Sequence, residues 1–174
     1  MPVTSLALRP YTPADENAAI ELWRRTWAQY YPHIDFNARV AWWRERWRNE
    51  LVPAARIVVA AVDDAETLPQ SPLIPAQAGI RSSGKKLVGF VTVDPTTMYL
   101  DQIVVAPEYW GSNVAPILLD EAKRLSPRGL DLLVNKDNAR AIRFYAKHGF
   151  VDAGEDRNPV SGIKVNRMRW RAAP

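Results

Sequence analysis

Cysteine is absent from all 174 residues. Its absence excludes disulfides, thiolate metal sites and a cysteine nucleophile, and it fits a reducing compartment. Long apolar runs are missing too: none approaches the roughly 18 residues of a membrane span, and the opening MPVTSLALRPYTP lacks the longer apolar core of a signal peptide. A soluble cytoplasmic protein with no membrane partner is expected. Neither G-x-G-x-x-G nor G-x-x-x-x-G-K-[ST] occurs, so the glycine signatures of dinucleotide and nucleoside-triphosphate sites are lacking. Charge of one sign is also scarce, with 23 basic against 19 acidic residues and a net charge of +4. The basic residues are spread over several elements, which argues against nucleic acid as a partner while favouring an anionic cofactor.

At 47% hydrophobic, the chain can bury roughly 70% of its unfolded surface as one domain, and no internal repeat divides it. Domain 1–174 is therefore read as single. Residues 99–125, YLDQIVVAPEYWGSNVAPILLDEAKRL, hold the first sign of chemistry. They read as a strand with β-branched Ile103, Val104 and Val105, a polar turn, and an amphipathic helix. Proline is tolerated only in the first helical turn, so Pro116 predicts a helix start within Gly111 to Ala115. The turn then sits on a helix N-terminus, where free amides and the helix dipole suit an anion such as phosphate.

Around this unit the chain alternates strands and helices. Leu6 and Leu8 open a short strand that ends at Arg9-Pro10. Thr12 caps a helix with Pro13 at its first position and Asp15 in its acidic first turn, and the stripe Ala19, Leu22, Trp23, Trp27 and Tyr30 follows. A second helix is predicted over about Asn37 to Leu51, with Val40, Trp43 and Trp47 on one face. Five of the seven tryptophans lie between Trp23 and Trp47; they read as core packing, with flat pocket walls as the alternative. Strands at Arg56 to Val62 and Leu87 to Asp94 flank a long mobile connection, 63–86, and Gly89 marks a bulge or a close backbone approach. Leu130 to Val134 is a buried strand, and Asp137-Asn138 caps a helix over Ala139 to His148 that ends on Gly149. Two antiparallel strands, Phe150 to Glu155 and Ile163 to Arg171, close the chain around the turn Asn158 to Gly162.

Two segments, VVAPEYWGSNVAPILLDEA (Val104 to Ala122) and VNKDNARAIRFYAKHGF (Val134 to Phe150), start about 30 residues apart. Together they resemble the pyrophosphate loop and the N-x-x-N-x-x-A-x-x-F-Y-x-x-x-G-F segment of the GNAT superfamily of acyl-CoA-dependent N-acetyltransferases. The resemblance implies an α/β (α+β) fold. It is a single domain whose mixed, mostly antiparallel central sheet has about seven strands, splayed between strands 4 and 5 and flanked by about four helices. It also implies acetyl-CoA as co-substrate, with no metal. The pantetheine arm would bond to backbone around Ile103, Val104 and Val105, and the pyrophosphate to the amides of Trp110, Gly111, Ser112, Asn113, Val114 and Ala115. Asn138 would contact the cofactor arm, and Tyr145 would sit near the thioester sulfur as general acid. The family usually carries Arg or Gln in place of Trp110 and Gly in place of Asn113, so here amides and dipole are left to hold the diphosphate. Asn113 is acceptable physically, because Asn is the non-glycine residue that best accepts left-handed backbone.

The expected reaction is acetyl transfer to a primary amine of a small molecule or amino acid, by direct attack in a ternary complex. Asp101 is the candidate base, placed by the period of two on one face with Ile103 and Val105; water alone is the alternative. His148, at a helix end, reads as structural. Trp27 and His33 are the candidate acceptor contacts, since the first helices and the Asn158 to Gly162 turn flank the acceptor side in the family. A homodimer is the candidate assembly. The competing reading is a catalytically impaired CoA-binding module that serves regulation or interaction.

Overall fold

The computed structural model describes residues 5–63, 84–159 and 161–173. Most of the expected 63–86 connection, namely 64–83, lies outside the described residues. Seven strands form one sheet: β1 (Ala7–Pro10), β2 (Arg56–Asp63), β3 (Lys85–Asp94), β4 (Tyr99–Val105), β5 (Gly129–Asn135), β6 (Val151–Arg157) and β7 (Lys164–Arg171). Their order is β1-β2-β3-β4-β5-β7-β6. Every neighbouring pair is antiparallel except β4 and β5. A parallel pair needs a crossover, and α4 (Val114–Leu125) supplies it.

That parallel pair is the defect on which the site is built. β4 and β5 meet at one rung, Tyr99 opposite Asp131, where the Asp131 amide donates to the Met98 carbonyl at 2.8 Å. Beyond it the strands part toward their carboxyl ends, as the resemblance implied. Each carboxyl end runs into a helix, β4 into α4 and β5 into α5 (Ala139–Lys147). Two helix N-termini therefore flank the mouth of the gap.

The first helix, α1 (Glu16–Tyr30), is anchored by Asp15, which is only 8% exposed. The Asp15 carboxylate accepts from the Thr12 amide at 2.8 Å and hydroxyl at 3.0 Å, and from the Arg9 fork at 2.7 and 2.6 Å. The second helix departs from its predicted bounds at both ends. It starts at α2 (Val40–Arg46) because the Asp35 carboxylate accepts the amides of Asn37 (2.9 Å) and Ala38 (3.2 Å), a side-chain turn that keeps these residues out of the helix. It then continues through a π-helical turn, Trp47–Leu51, into α3 (Val52–Ala54). Pro53 has no amide to donate and its ring crowds the carbonyl four residues back; the wider turn accommodates both.

Two cores sandwich the sheet. On one face α1, α2 and the π turn bury Trp23, Trp43 and Trp47 against Phe90 and Val104, with Trp23 and Trp43 stacked at 4.6 Å. These three tryptophans are core. On the other face α4 and α5 bury Leu118, Leu119, Tyr145 and Phe150 against Leu130 and Leu132. Gly89 proves to be both things expected of it. Val88 is an extra residue between the rungs Ala60–Gly89 and Ala61–Leu87, and a Cβ on Gly89 would lie 2.8 Å from Leu118 Cδ1 and 3.0 Å from the Val104 carbonyl. Only glycine lets α4 settle this close to β3.

Candidate active site

A cavity of about 510 Å³ fills the gap between β4 and β5. The strands expose bare edges to it. Ala106 donates its amide to the Val88 carbonyl of β3 at 2.9 Å, and antiparallel alternation then turns the backbone groups of Ile103 and Val105 away from β3, toward the gap. The Val105 carbonyl conforms, accepting Trp110 Nε1 at 2.9 Å and Thr26 Oγ1 at 3.4 Å. By the same alternation Val104 bonds back to β3, and it is 1% exposed. Of the three strand residues expected to offer backbone to a cofactor arm, two face the gap.

The turn after β4 comes next. Its left-handed residue is Gly111, at φ +81°. Asn113 caps α4 at φ −81°, so it is not in the left-handed conformation contemplated for it. The helix starts at Val114, inside the predicted window, with Pro116 third in it. Several loop amides are spent on the loop itself: Trp110 donates to Pro107 and Ser112 to Tyr109, both at 3.1 Å, while Val114 donates to Ser112 Oγ at 3.3 Å. Ser112 Oγ in turn donates to the Tyr109 carbonyl at 2.6 Å. Gly111 and Ala115 keep amides without a partner among the described residues. The amide cradle expected from Trp110 through Ala115 is thus narrower than the sequence implies. Trp110, whose ring edge meets Tyr30 at 6.4 Å, carries the Arg140 guanidinium 4.5 Å from its ring centroid.

From the other side, α5 presents Tyr145. The residue is 6% exposed and lines the cavity, with its ring 5.3 Å from both Phe144 and Phe150. Burial, and next the field of Tyr99, pushes its phenol above the ordinary tyrosine value. Asn138 also lines the cavity, and its Oδ1 caps α5 by accepting the Ala141 amide at 3.0 Å. Its Nδ2 is the atom left to reach a ligand. Asp137 is not the cap; it accepts the Tyr31 hydroxyl at 2.9 Å. His148 lines the cavity with Nδ1 held 2.8 Å from the Phe144 carbonyl at the end of α5, a structural contact as expected.

Asp101 does not share a face with Ile103 and Val105. Between the rungs Thr92–Gln102 and Val93–Leu100 it is the extra residue of a β-bulge. The bulge breaks the period of two and turns Asp101 toward α2. There Arg46 grips it fork to fork at 3.0 and 2.6 Å, and Gln102 Nε2 donates to its Oδ1 at 3.1 Å. Trp27 lines the cavity, together with Thr26 and Tyr30 of α1. His33 does not; it is exposed and lines a separate pocket with Ala28, Pro32 and Phe36.

Sequence reasoning missed three residues here. Arg46 lies three positions after Trp43 and thus near the buried face of α2, which was the available signal. Tyr99 lines the cavity at the closing rung, its phenol pushed up to about 12 by burial and then by Asp101. Tyr31, likewise pushed up to about 12 chiefly by burial, spans from the end of α1 to the β5–α5 junction, accepting Asn135 Nδ2 at 3.1 Å and donating to Asp137. No local pattern foretells a bridge between residues so distant in sequence.

Comparison with known proteins identifies the family and the fold. The family model described as the acetyltransferase (GNAT) family matches residues 16–150. A curated relative, the peptidyl-lysine N-acetyltransferase YjaB of Salmonella typhimurium, is 31% identical over 90 residues, covering 52% of this chain and 57% of that protein. The aligned part thus spans little more than half of the relative's length. Among solved structures, the PaiA N-acetyltransferase of Thermoplasma acidophilum in complex with coenzyme A superposes with a TM-score of 0.69 at 19% identity, over 97% of this chain and 99% of that one. The apo form of Escherichia coli YjaB superposes with a TM-score of 0.67 at 17% identity, over 97% and 99%. At such identities the likeness is one of fold.

Proposed function

The chain belongs to the GNAT family of acetyltransferases, and from that premise we propose that it moves an acetyl group from acetyl-CoA to a primary amine of a small molecule or amino acid within one ternary complex. The observation that carries the reading is the split of β4 from β5 with Tyr145 buried against the gap. Acetyl-CoA, when bound, supplies an acetyl group activated as a thioester.

The donors of the gap fit such a molecule. The backbone of Ile103 and the amide of Val105, on the β4 edge that faces the gap, suit the amides of a pantetheine arm, which would lie like an added strand. The amides of Gly111 and Ala115 at the α4 N-terminus suit a diphosphate, and Asn138 Nδ2 can donate to the arm between them.

Starting from an ammonium, transfer forms a C–N bond and breaks a C–S bond while the nitrogen loses two protons: one passes to water before attack, and the second, lost as the amide forms, balances the one that the sulfur takes up. Tyr145 serves the sulfur. Its raised pKa keeps the hydroxyl protonated throughout the neutral range, ready to donate as negative charge develops on the leaving group. The amine end falls to Asp101. The contacts from Arg46 and Gln102 take three acceptor positions on the carboxylate, which leaves one on Oδ2 to hold an incoming ammonium. Water then carries the proton away. For an amine of pKa about 10.4 this deprotonation costs about 4.6 kcal/mol at pH 7. Trp27 and Tyr30 line the same cavity with flat aromatic faces, which favours an acceptor with an apolar part.

Release of free CoA thiol, followed with a thiol reagent over a panel of amines, tests the proposal. Turnover that depends on one class of primary amine is expected. Binding of acetyl-CoA with no amine-dependent thiol release would refute the transfer and favour a CoA-binding module.

A further inference from the structure

Trp110 stands where the resemblance leads one to expect a cation. The structure brings a cation to the same place from another element. The Trp110 indole is tied down by its Nε1 bond to the Val105 carbonyl at 2.9 Å, and the Arg140 guanidinium lies 4.5 Å from its ring centroid. Arg140, Trp110, Gly111 and Ala115 all line one cavity. Resting on the acyl-CoA reading above, we propose that Arg140 is the diphosphate-binding cation of this enzyme and that Trp110 is the shelf that positions it.

Three observations point the same way. Arg140 is the second residue of α5, where the positive end of the helix dipole opposes a cation. It has no carboxylate partner among the described residues, whereas Arg46, Arg167 and Arg169 each have one. Left alone, this arginine is poorly placed; an anion between the two helix N-termini would relieve it. Finally, a guanidinium stacked on an indole keeps its N–H edge free, and that edge is the fork that matches phosphate oxygens. The cation that the loop lacks is thus replaced from α5, some 30 residues downstream, by a residue the loop itself holds in place.

Calorimetric titration of CoA and of dephospho-CoA, which lacks the 3′-phosphate, tests the proposal on the wild type and on Arg140→Ala, Arg140→Lys and Trp110→Leu. Loss of a charge-assisted contact predicts CoA binding weakened about tenfold or more in Arg140→Ala. The same factor is expected for dephospho-CoA, because the diphosphate is common to both. Arg140→Lys recovers part of the loss, and Trp110→Leu weakens both ligands while adding little to Arg140→Ala, as expected for residues that act as a unit. The melting temperature of ligand-free Arg140→Ala is unchanged or higher, because a cation has left a helix N-terminus; a purely structural arginine would lower it. Affinities within twofold of wild type for both ligands would overturn the proposal. So would a loss confined to CoA, which would assign Arg140 to the 3′-phosphate. If the wild type bound neither ligand, the acyl-CoA reading itself would fall.

Discussion

Replacing Tyr145 by Phe removes one hydroxyl and leaves the ring packed 5.3 Å from Phe144 and Phe150. The fold and the cofactor seat should be untouched, so the variant isolates the proton donor. A free thiol has a pKa of about 8.5 and tyrosine about 10, and burial of Tyr145 moves it further up. Complete transfer to a thiolate is therefore uphill. In the proposed reaction Tyr145 contributes instead as a hydrogen-bond donor to charge growing on sulfur, and a bond of that kind is worth about 1.5–3 kcal/mol. At about 1.36 kcal/mol per factor of ten, kcat should fall roughly 10- to 150-fold. The contact strengthens only as the bond breaks, so kcat and kcat/KM should fall together, while calorimetry shows CoA affinity within twofold of wild type. A kcat within threefold of wild type would refute the reasoning. So would a loss of rate matched by an equal loss of CoA affinity, which would make Tyr145 a binding residue.

With water as the proton acceptor, kcat/KM of the wild type for a lysine-like amine should climb about tenfold per pH unit from 7 to 9, following the free amine; a plateau that begins near pH 7 would reveal a titrating base instead. Asp101→Ala leaves the Arg46 guanidinium, only 14% exposed, without its main partner. Breaking a buried pair costs about 3–5 kcal/mol, and the low end is expected in a denaturant titration because Glu50 still accepts Arg46 Nε at 3.1 Å. Gly89→Ala drives a methyl against Leu118 and the Val104 carbonyl; overpacking of about 1–3 kcal/mol should lower Tm by several degrees, and an unchanged Tm would show that α4 can shift. Asp15 titrates below the ordinary aspartate value, held there first by the Arg9 guanidinium. Its contribution is present in full above about pH 4 and is lost as the pH falls through the folded-state value. Asp15→Asn should cost about 1.5–3 kcal/mol at pH 7 and flatten the acid limb of the stability curve, whereas parallel acid limbs would remove Asp15 from the linkage.

What could be read in the sequence was whatever is written in local pattern. The β4–turn–α4 unit, the start of α4 near Pro116, the left-handed Gly149 at the end of α5 and the core role of Trp43 and Trp47 all follow from periodicity and caps. What escaped is set by contacts between distant segments or by defects in a period. Asp101 lost its predicted face because one extra residue in β4 inverts the alternation, and nothing in YLDQIVV marks a bulge. The second helix was expected to end at Leu51, yet the chain widened into a π turn and continued through Pro53. No sequence pattern links Arg140 to Trp110, on whose ring the fold lays it, and Tyr31 reaches Asn135 and Asp137 from a distant segment. Motif spacing located the loop between β4 and α4, but which of its amides remain available depends on hydrogen bonds inside the loop.

The most direct test of the central claim, that the parted edges of β4 and β5 hold the acyl donor, is residue-resolved amide hydrogen exchange on titration with acetyl-CoA. New protection is expected at Ile103, Val105, Gly111 and Ala115, with Val104, already turned toward β3, unchanged. Protection that spared Ile103 and Val105 while acetyl-CoA was bound would place the donor elsewhere and contradict the account.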